Sequence, residues 1–180
     1  MREAEEKLDE MVDNLLKSNN FDTTILLNNK EYVKHLDDLK YGRVKRVLPK
    51  LLTLEEEAIL RFYTTNAGYK NFNKALRGEI KMTDEFFAQE RLMNQALNKL
   101  PNYNSKDILY RIENLTDDQI KSYYKVGEEV TNKHFTSCTY NIDAIAVAMR
   151  SRSYIVMIHI IGENGKKIEA LSTLSKEKEI

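Results

Sequence analysis

The first hundred residues carry apolar side chains at helical spacing. In the opening segment the repeating positions are Leu8, Met11, Val12, Leu15 and Leu16. Residues three and four apart lie on one face of an α-helix, so this pattern predicts an amphipathic helix over 2–18.

Start and stop signals delimit further helices in the same half. Thr53 and Glu56 have the spacing of a capping box, and Gly78 is a residue type that commonly ends a helix. Together with the apolar spacing, these signals predict four more helices, over about 30–40, 53–63, 68–77 and 83–100.

After Pro101 the pattern changes to short apolar runs bounded by turn residues. Such runs predict strands, here at 108–112, 134–139 and 154–161. A helical half followed by a β-rich half is typical of the α+β class. We therefore expect the N-terminal helices to pack on a two-sheet β core.

Two short helices are predicted between these strands. Thr116 and Gln119 form a second capping-box pattern, which predicts a helix to about Tyr124. A run of small and apolar residues predicts another helix over 142–149.

Composition narrows the classes of protein to consider. The chain has 180 residues, 42% of them hydrophobic, which suits one domain with its own core. Lys plus Arg and Asp plus Glu each number 28, so the formal net charge is zero and no nucleic-acid partner is expected. No apolar run approaches the ~20 residues of a membrane span. The charged start also lacks the apolar core of a signal peptide, so we expect a soluble protein without a classical export signal.

Cysteine and histidine usage gives no sign of a metal site. Cys138 is the single cysteine, which excludes an internal disulfide and a Cys-based zinc site. The three histidines are scattered along the chain, without the i, i+4 spacing that helical metal sites use.

Two polar features interrupt the predicted strands. Arg111 lies between apolar neighbours, and its planar guanidinium can bind phosphate oxygens through two parallel hydrogen bonds. An arginine on an edge strand, with its stem packed and its charge in water, explains the same pattern. The run Phe135-Thr136-Ser137-Cys138-Thr139 offers hydrogen-bonding hydroxyls, although a Thr-rich edge strand has a similar composition.

A third polar feature ends the chain. Glu177 and Glu179 are two residues apart, so in an extended backbone their carboxylates share a face. Like charges held so close raise the pKa of at least one carboxyl, which suits a group that orients or deprotonates a weak nucleophile. A solvated terminal tail is the alternative.

In this order the three features resemble the arginine, Ser-Thr-Ser and Glu-x-Glu motifs of mono-ADP-ribosyltransferase toxins. The likeness is greatest to the clostridial Rho-modifying exoenzymes and to the enzymatic components of binary actin-modifying toxins. In the helical half, LTLEEEAILRFYT and FNKALRG resemble helices of the exoenzymes. The resemblance implies an ADP-ribosyltransferase-like fold in a single domain over 1–180. Within it, 52–180 would be the catalytic region and 1–50 a helical N-terminal extension.

The same resemblance implies roles for individual residues. Arg111 would grip the phosphate and ribose of NAD, and Ser137 would orient the catalytic glutamate while helping to line the nicotinamide pocket. Glu179 would be that glutamate, holding the 2′-hydroxyl of the nicotinamide ribose, and Glu177 would engage the acceptor. Further contacts with NAD are implied for three helical residues, Asn73, Arg77 and Thr64.

The implied reaction is transfer of ADP-ribose from NAD to a protein side chain with release of nicotinamide. The acceptor would be arginine, because a glutamate at the first position of the pair goes with arginine acceptors in the family. A carboxylate beside the ribose would stabilise the positive charge of an oxocarbenium-like transition state, and no metal would be needed. Two alternatives remain open: an NAD glycohydrolase that uses water as acceptor, and an inactive ADP-ribosyltransferase-like binding module.

The chain departs from the family pattern at several positions. Ile112 stands where the family usually has glycine, and Cys138 and Thr139 replace the last two residues of Ser-Thr-Ser. The family also continues through a further strand beyond the second glutamate, whereas this chain ends at Ile180, so we expect a C-terminus that has been clipped.

The resemblance also implies where the protein acts and with what. The expected partner is a protein acceptor, with no nucleic acid and no membrane span. We expect a secreted or delivered toxin or effector that acts in the cytosol of a target cell. The N-terminal helices would be available to a delivery or partner protein.

Overall fold

The computed structural model describes residues 22–103, 108–149, 156–162 and 164–173. After a short 3₁₀ helix, Thr23–Asn28, four α-helices occupy the first hundred residues: α1 Lys30–Lys40, α2 Leu54–Tyr63, α3 Asn66–Leu76 and α4 Asp84–Lys99. The four helices predicted between 30 and 100 are therefore confirmed. The helix predicted over 2–18 lies outside the described residues.

Side-chain caps set the helix boundaries. Thr53 and Glu56 form the reciprocal capping box at the start of α2, as predicted. Helix α3 begins at Asn66 and not at the predicted residue 68. Thr65 is its N-cap residue, because the Thr65 hydroxyl accepts a hydrogen bond from the Gly68 N–H. It ends before Gly78, whose φ of 77° favours glycine.

Helix α2 lies at the centre of the helical core. Its Ala58, Ile59 and Leu60 are fully buried, and Phe62 is 1% exposed. The Phe62 ring packs edge-on against Tyr32 of α1, with centroids 6.3 Å apart. This burial of an apolar stripe against neighbouring helices is the main stabilising term for the helical part.

Two buried carboxylates of α2 tie loops and helices to this core. Glu56 pairs with Lys99 at the end of α4, at 2.7 Å. Glu57 accepts from the Val47 N–H at 2.7 Å and from Arg46 Nε at 3.2 Å, which holds the loop before α2. Both carboxylates are fully buried and compensated by partners, so they serve the fold and not the site.

The second half contributes a sheet and two helices. Strand β1, Leu109–Glu113, pairs antiparallel with β2, Val156–Ile160, and Arg111 lies opposite Ile158. Helices α5, Asp117–Tyr123, and α6, Ile142–Met149, follow the predicted positions. Within the described residues the sheet has these two strands, so the α+β character is confirmed at this level while the two-sheet core stays a prediction.

The strand predicted over 134–139 is wrong. That segment makes a single bridge to β1, in which Tyr110 and Thr139 exchange N–H···O bonds of 2.7 and 2.9 Å. Two residues earlier, the Ser137 carbonyl accepts from Arg111 Nη1 at 2.9 Å. The Arg111 side chain thus bonds a carbonyl that a regular ladder would pair with backbone N–H.

The last described segment returns to the helices. Ile168 and Leu171 are buried in the same core cluster as Phe62 and Leu92, with Leu171 1% exposed. Among the residues that the structure describes, no helix is both long enough and apolar enough to span a membrane.

Candidate functional site

A cleft of about 730 Å³ lies between α3, β1 and the 134–139 segment. Five of the seven residues singled out from the sequence line it: Thr64, Asn73, Arg77, Arg111 and Ser137. The other two, Glu177 and Glu179, lie outside the described residues. Residues separated by up to 73 positions in the chain are thereby brought to one cavity, while their individual roles stay predictions.

One wall of the cleft is the exposed face of α3. Lys70, Asn73, Lys74 and Arg77 have the i, i+3, i+4, i+7 spacing that places side chains on one face of a helix, and all four line the cleft. Arg77 makes a partly exposed ion pair with Glu79, with 2.6 Å between Nε and Oε1. The wall is therefore rich in cationic groups, which suits an anionic ligand.

Arg111 on the opposite wall is held by two hydrogen bonds. Its Nε donates to Glu113 Oε1 at 2.7 Å, and its Nη1 donates to the Ser137 carbonyl at 2.9 Å. The Arg111 side chain is 20% exposed. A guanidinium has five N–H groups, and no other bond to it occurs within the described part of the chain, so further donors are available to a ligand.

A hydrogen-bonded chain links the two walls through α2. Asn73 Nδ2 donates to the Tyr63 hydroxyl at 3.2 Å, and that hydroxyl donates to the Phe135 carbonyl at 3.3 Å. The Phe135 ring stacks on Phe72, with centroids 5.8 Å apart. The chain and the stack fix the segment that carries Ser137 relative to α3.

Asn73, which lines the cleft, also has an unsatisfied polar atom. Its Oδ1 is buried and accepts no hydrogen bond from the described residues. Buried acceptors without a donor are rare and costly in native proteins. Because this oxygen is not accessible from the cleft, a ligand hydroxyl or amide would satisfy it only after the Asn73 side chain turned toward the cleft.

Thr64 uses its hydroxyl within the protein. Oγ1 donates to the Arg61 carbonyl at 2.7 Å and accepts from the Thr173 N–H at 3.0 Å. The two threonine hydroxyls are also 3.1 Å apart. Thr64 thus anchors the last described residue, Thr173, from which the chain continues toward the acidic pair.

His134 lines the cleft although sequence reasoning did not single it out. Burial lowers its pKa from 6.5, and the positive charges of Arg111 and Arg77 lower it further. The imidazole is therefore neutral at pH 7. Lys70, Lys74 and Tyr63 were also missed, and the helical spacing of the two lysines with Asn73 and Arg77 was the signal that could have found the lysines.

The described residues offer no cluster of three or more His, Cys, Asp or Glu that could hold a metal ion. The cleft's described polar groups include cations, amides and hydroxyls, which suit phosphate and sugar oxygens.

No protein-family model matches the chain. Over 133 residues it is 33% identical to the NAD(+)--protein-arginine ADP-ribosyltransferase Tre1 of Serratia proteamaculans (strain 568), covering 74% of this chain and 28% of that protein. A Tre1 protein of Pseudomonas putida (strain GB-1) is 33% identical over 122 residues, 68% of this chain and 23% of the relative. The chain thus spans about a quarter of the length of these relatives.

Solved structures give the fold. The eukaryotic mono-ADP-ribosyltransferase ART2.2 superimposes with a TM-score of 0.61 at 20% identity, covering 97% of this chain and 75% of that one. Exoenzyme S from Pseudomonas aeruginosa, solved with human 14-3-3 protein beta and carba-NAD, gives 0.61 at 18% identity, with 94% and 75% covered. The narrower likeness to Rho-modifying and binary toxins stays a prediction. The chain is therefore related in sequence to protein-arginine ADP-ribosyltransferases and has the mono-ADP-ribosyltransferase fold.

Proposed function

We propose that this chain transfers ADP-ribose from NAD to an arginine side chain of a protein and releases nicotinamide. The observation that carries the proposal is the meeting of Thr64, Asn73, Arg77, Arg111 and Ser137 in one cleft. Its support from the relatives is that both Tre1 proteins are named for this reaction.

The cleft has the size and the polar groups that NAD requires. A volume of about 730 Å³ is within the range of pockets that enclose nucleotide-sized ligands. Arg111, Arg77 and the two lysines of α3 place positive charge where a diphosphate would lie. Asn73, whose side chain lines the cleft, offers an amide group for a ribose hydroxyl or the carboxamide.

NAD supplies the ADP-ribosyl group and nicotinamide as the leaving group. The bond between ribose C1′ and the nicotinamide nitrogen breaks with its electron pair leaving on nicotinamide, and a guanidinium nitrogen of the acceptor bonds to C1′ and loses a proton. Glu179 holds the ribose 2′-hydroxyl and stabilises positive charge at the barrier, where an interaction accelerates the reaction. Ser137 orients Glu179, and Glu177 binds the acceptor guanidinium and takes its proton.

The protein acts, on this proposal, as a delivered toxin or effector inside a target cell, on a protein acceptor. The domain assignment, 1–180 as one unit with 1–50 as a helical extension, is part of the proposal. The extension is the surface offered to a delivery or partner protein.

The test separates the two glutamates by measuring two rates. Transfer to agmatine, a small guanidine acceptor, and hydrolysis of NAD by water are measured for Glu177→Gln and Glu179→Gln. Glu179→Gln should lower both rates by about 10²–10³-fold, the loss typical of one group that stabilises a transition state. Glu177→Gln should lower transfer by a similar factor and leave most of the hydrolysis, because water needs no guanidinium site.

Lys178→Gln is the matched control, because it changes a charge between the two glutamates and an extended backbone directs it to the other face. Both rates should stay near those of the wild type. Equal loss of both activities in the two glutamate variants would contradict the division of labour. Full activity in both variants would contradict the site itself. Labelled NAD with a cell lysate, followed by mass spectrometry of the labelled protein, then identifies the acceptor residue.

A further inference from the structure

Glu113 is a charged residue next to the cleft that no motif assigned. It lies two residues after Arg111 on β1, so both side chains leave the same face of the strand. Its two carboxylate oxygens have different partners. Oε1 accepts from Arg111 Nε at 2.7 Å, and Oε2 accepts from the Tyr124 hydroxyl at 3.0 Å.

This arrangement is sheltered from solvent. The side chains of Arg111 and Glu113 are 20% and 18% exposed. Burial raises the pKa of Tyr124, and the hydrogen bond to Glu113 raises it further. The Tyr124 hydroxyl therefore remains a donor at neutral pH. A charge-assisted bond at this depth orients a guanidinium more firmly than an exposed surface pair does.

The two bonds of Arg111 fix which of its edges faces the cleft. The Nε–H donates to Glu113, and one N–H of Nη1 donates to the Ser137 carbonyl. A planar guanidinium whose Nε and Nη1 are both hydrogen-bonded holds its remaining N–H groups in a defined orientation. Setting their direction before the ligand arrives lowers the entropic cost of binding a diphosphate.

We propose that Glu113, braced by Tyr124, is a positioning residue that orients the Arg111 guanidinium for the diphosphate of NAD. The inference rests on the proposed function, because it takes NAD as the ligand of the cleft. Glu113 acts through Arg111 and touches no ligand itself. Its role is to hold the guanidinium through a hydrogen bond. Its negative charge strengthens that bond but would by itself weaken anion binding, so the two effects of removing the charge alone oppose each other.

The experiment measures the Kd of NAD by calorimetry for the full chain and four variants. Glu113→Ala, which removes the acceptor, should raise Kd about tenfold, equivalent to about 1.4 kcal/mol. Glu113→Gln keeps an acceptor oxygen and removes the charge, so its Kd should stay within about threefold of the wild-type value. Tyr124→Phe should give a smaller increase than Glu113→Ala. Glu129→Ala is the matched control, since Glu129 is an exposed carboxylate in the loop after α5, and it should leave Kd unchanged.

A double-mutant cycle distinguishes positioning from a general structural effect. Lysine at position 111 has no Nε–H fork to orient, so Glu113→Ala should change Kd by less than about twofold in an Arg111→Lys background. A merely structural loss would carry over undiminished into that background and would overturn the inference.

The remaining outcomes are also decisive. Equal Kd values for Glu113→Ala and Glu129→Ala overturn the inference, as does tighter NAD binding by Glu113→Ala. If Glu113→Ala does not fold, Glu113→Asp keeps the charge but withdraws it by one methylene. That variant should raise Kd several-fold, and an unchanged value in a folded protein overturns the inference. Wild-type protein that binds no NAD overturns the proposed function together with this inference, whereas failure confined to the variants overturns the inference alone.

Discussion

Protonation of His134, a residue of the cleft, affects the stability of the folded protein. Its imidazole is half-buried and faces positive charges of Arg111 and Arg77, with weaker opposing contributions from Glu113 and Glu79. The folded protein therefore lowers the pKa of His134 below the ordinary 6.5. Below pH 6.5 the unfolded chain binds a proton that the folded chain resists, so the free energy of unfolding decreases as the pH falls through this window.

We predict that His134→Gln reduces this loss of stability. Thermal unfolding measured at about pH 7.5 and at about pH 5.5 should show a smaller decrease in Tm for the variant than for the wild type. The value at the higher pH records any change in packing separately. The Tm of the variant should still decrease somewhat as the pH falls, because burial and the charge of Arg61 lower the pKa of His35 as well. An identical decrease in both proteins would contradict the lowered pKa.

At the scale of elements, the approach of α3 to α2 depends on Gly68. A Cβ at this position would fall onto the Phe62 carbonyl and within 2.8 Å of Tyr63 Cα. The Gly68 carbonyl also accepts from the buried Gln89 Nε2 at 2.8 Å, which ties α3 to α4. The helix that carries Asn73 and Arg77 is therefore held by a contact that leaves no room for a side chain.

We predict that Gly68→Ala destabilises the protein by about 1–3 kcal/mol, the usual cost of overpacking a core, and raises the Kd of NAD by moving α3. Denaturant unfolding and calorimetry measure the two effects. Gly162→Ala is the control, because its Cβ would lie 3.8 Å from the Ile160 side chain in ordinary contact. A Gly68→Ala protein as stable as this control would show that α3 can shift without cost.

The elements that the sequence predicted well are those specified by local signals. The capping boxes at Thr53 and Thr116 and the apolar spacing of α1 and α4 need no information from distant residues. The strand predicted over 134–139 does not form because the Ser137 carbonyl is bonded by the Arg111 side chain and not by a neighbouring backbone N–H. The apolar pattern of the sequence holds no information about that contact. Glu113 was missed for the same reason. Its importance comes from Arg111 and Tyr124, which the fold brings together.

At the scale of the whole molecule, the C-terminal segment is part of the helical core. Leu171 is 1% exposed and lies in the same apolar cluster as residues of all four N-terminal α-helices. Two residues later, Thr173 bonds to Thr64 at the end of α2 through its N–H. A side chain near the end of the chain thus stabilises helices formed near its beginning, which is the behaviour expected of one cooperative domain.

We predict that Leu171→Ala lowers the free energy of unfolding by about 2–5 kcal/mol, because the cavity it leaves is surrounded by helical residues that cannot all collapse into it. The far-UV circular dichroism signal, which reports helix content, should keep a single transition in urea that moves to lower urea concentration. Ile161→Ala is the control, since Ile161 is 86% exposed and should change the midpoint little. Two separate transitions, or a helical transition unmoved by Leu171→Ala, would mean that the helices fold without the C-terminal segment and that the single-domain prediction is wrong.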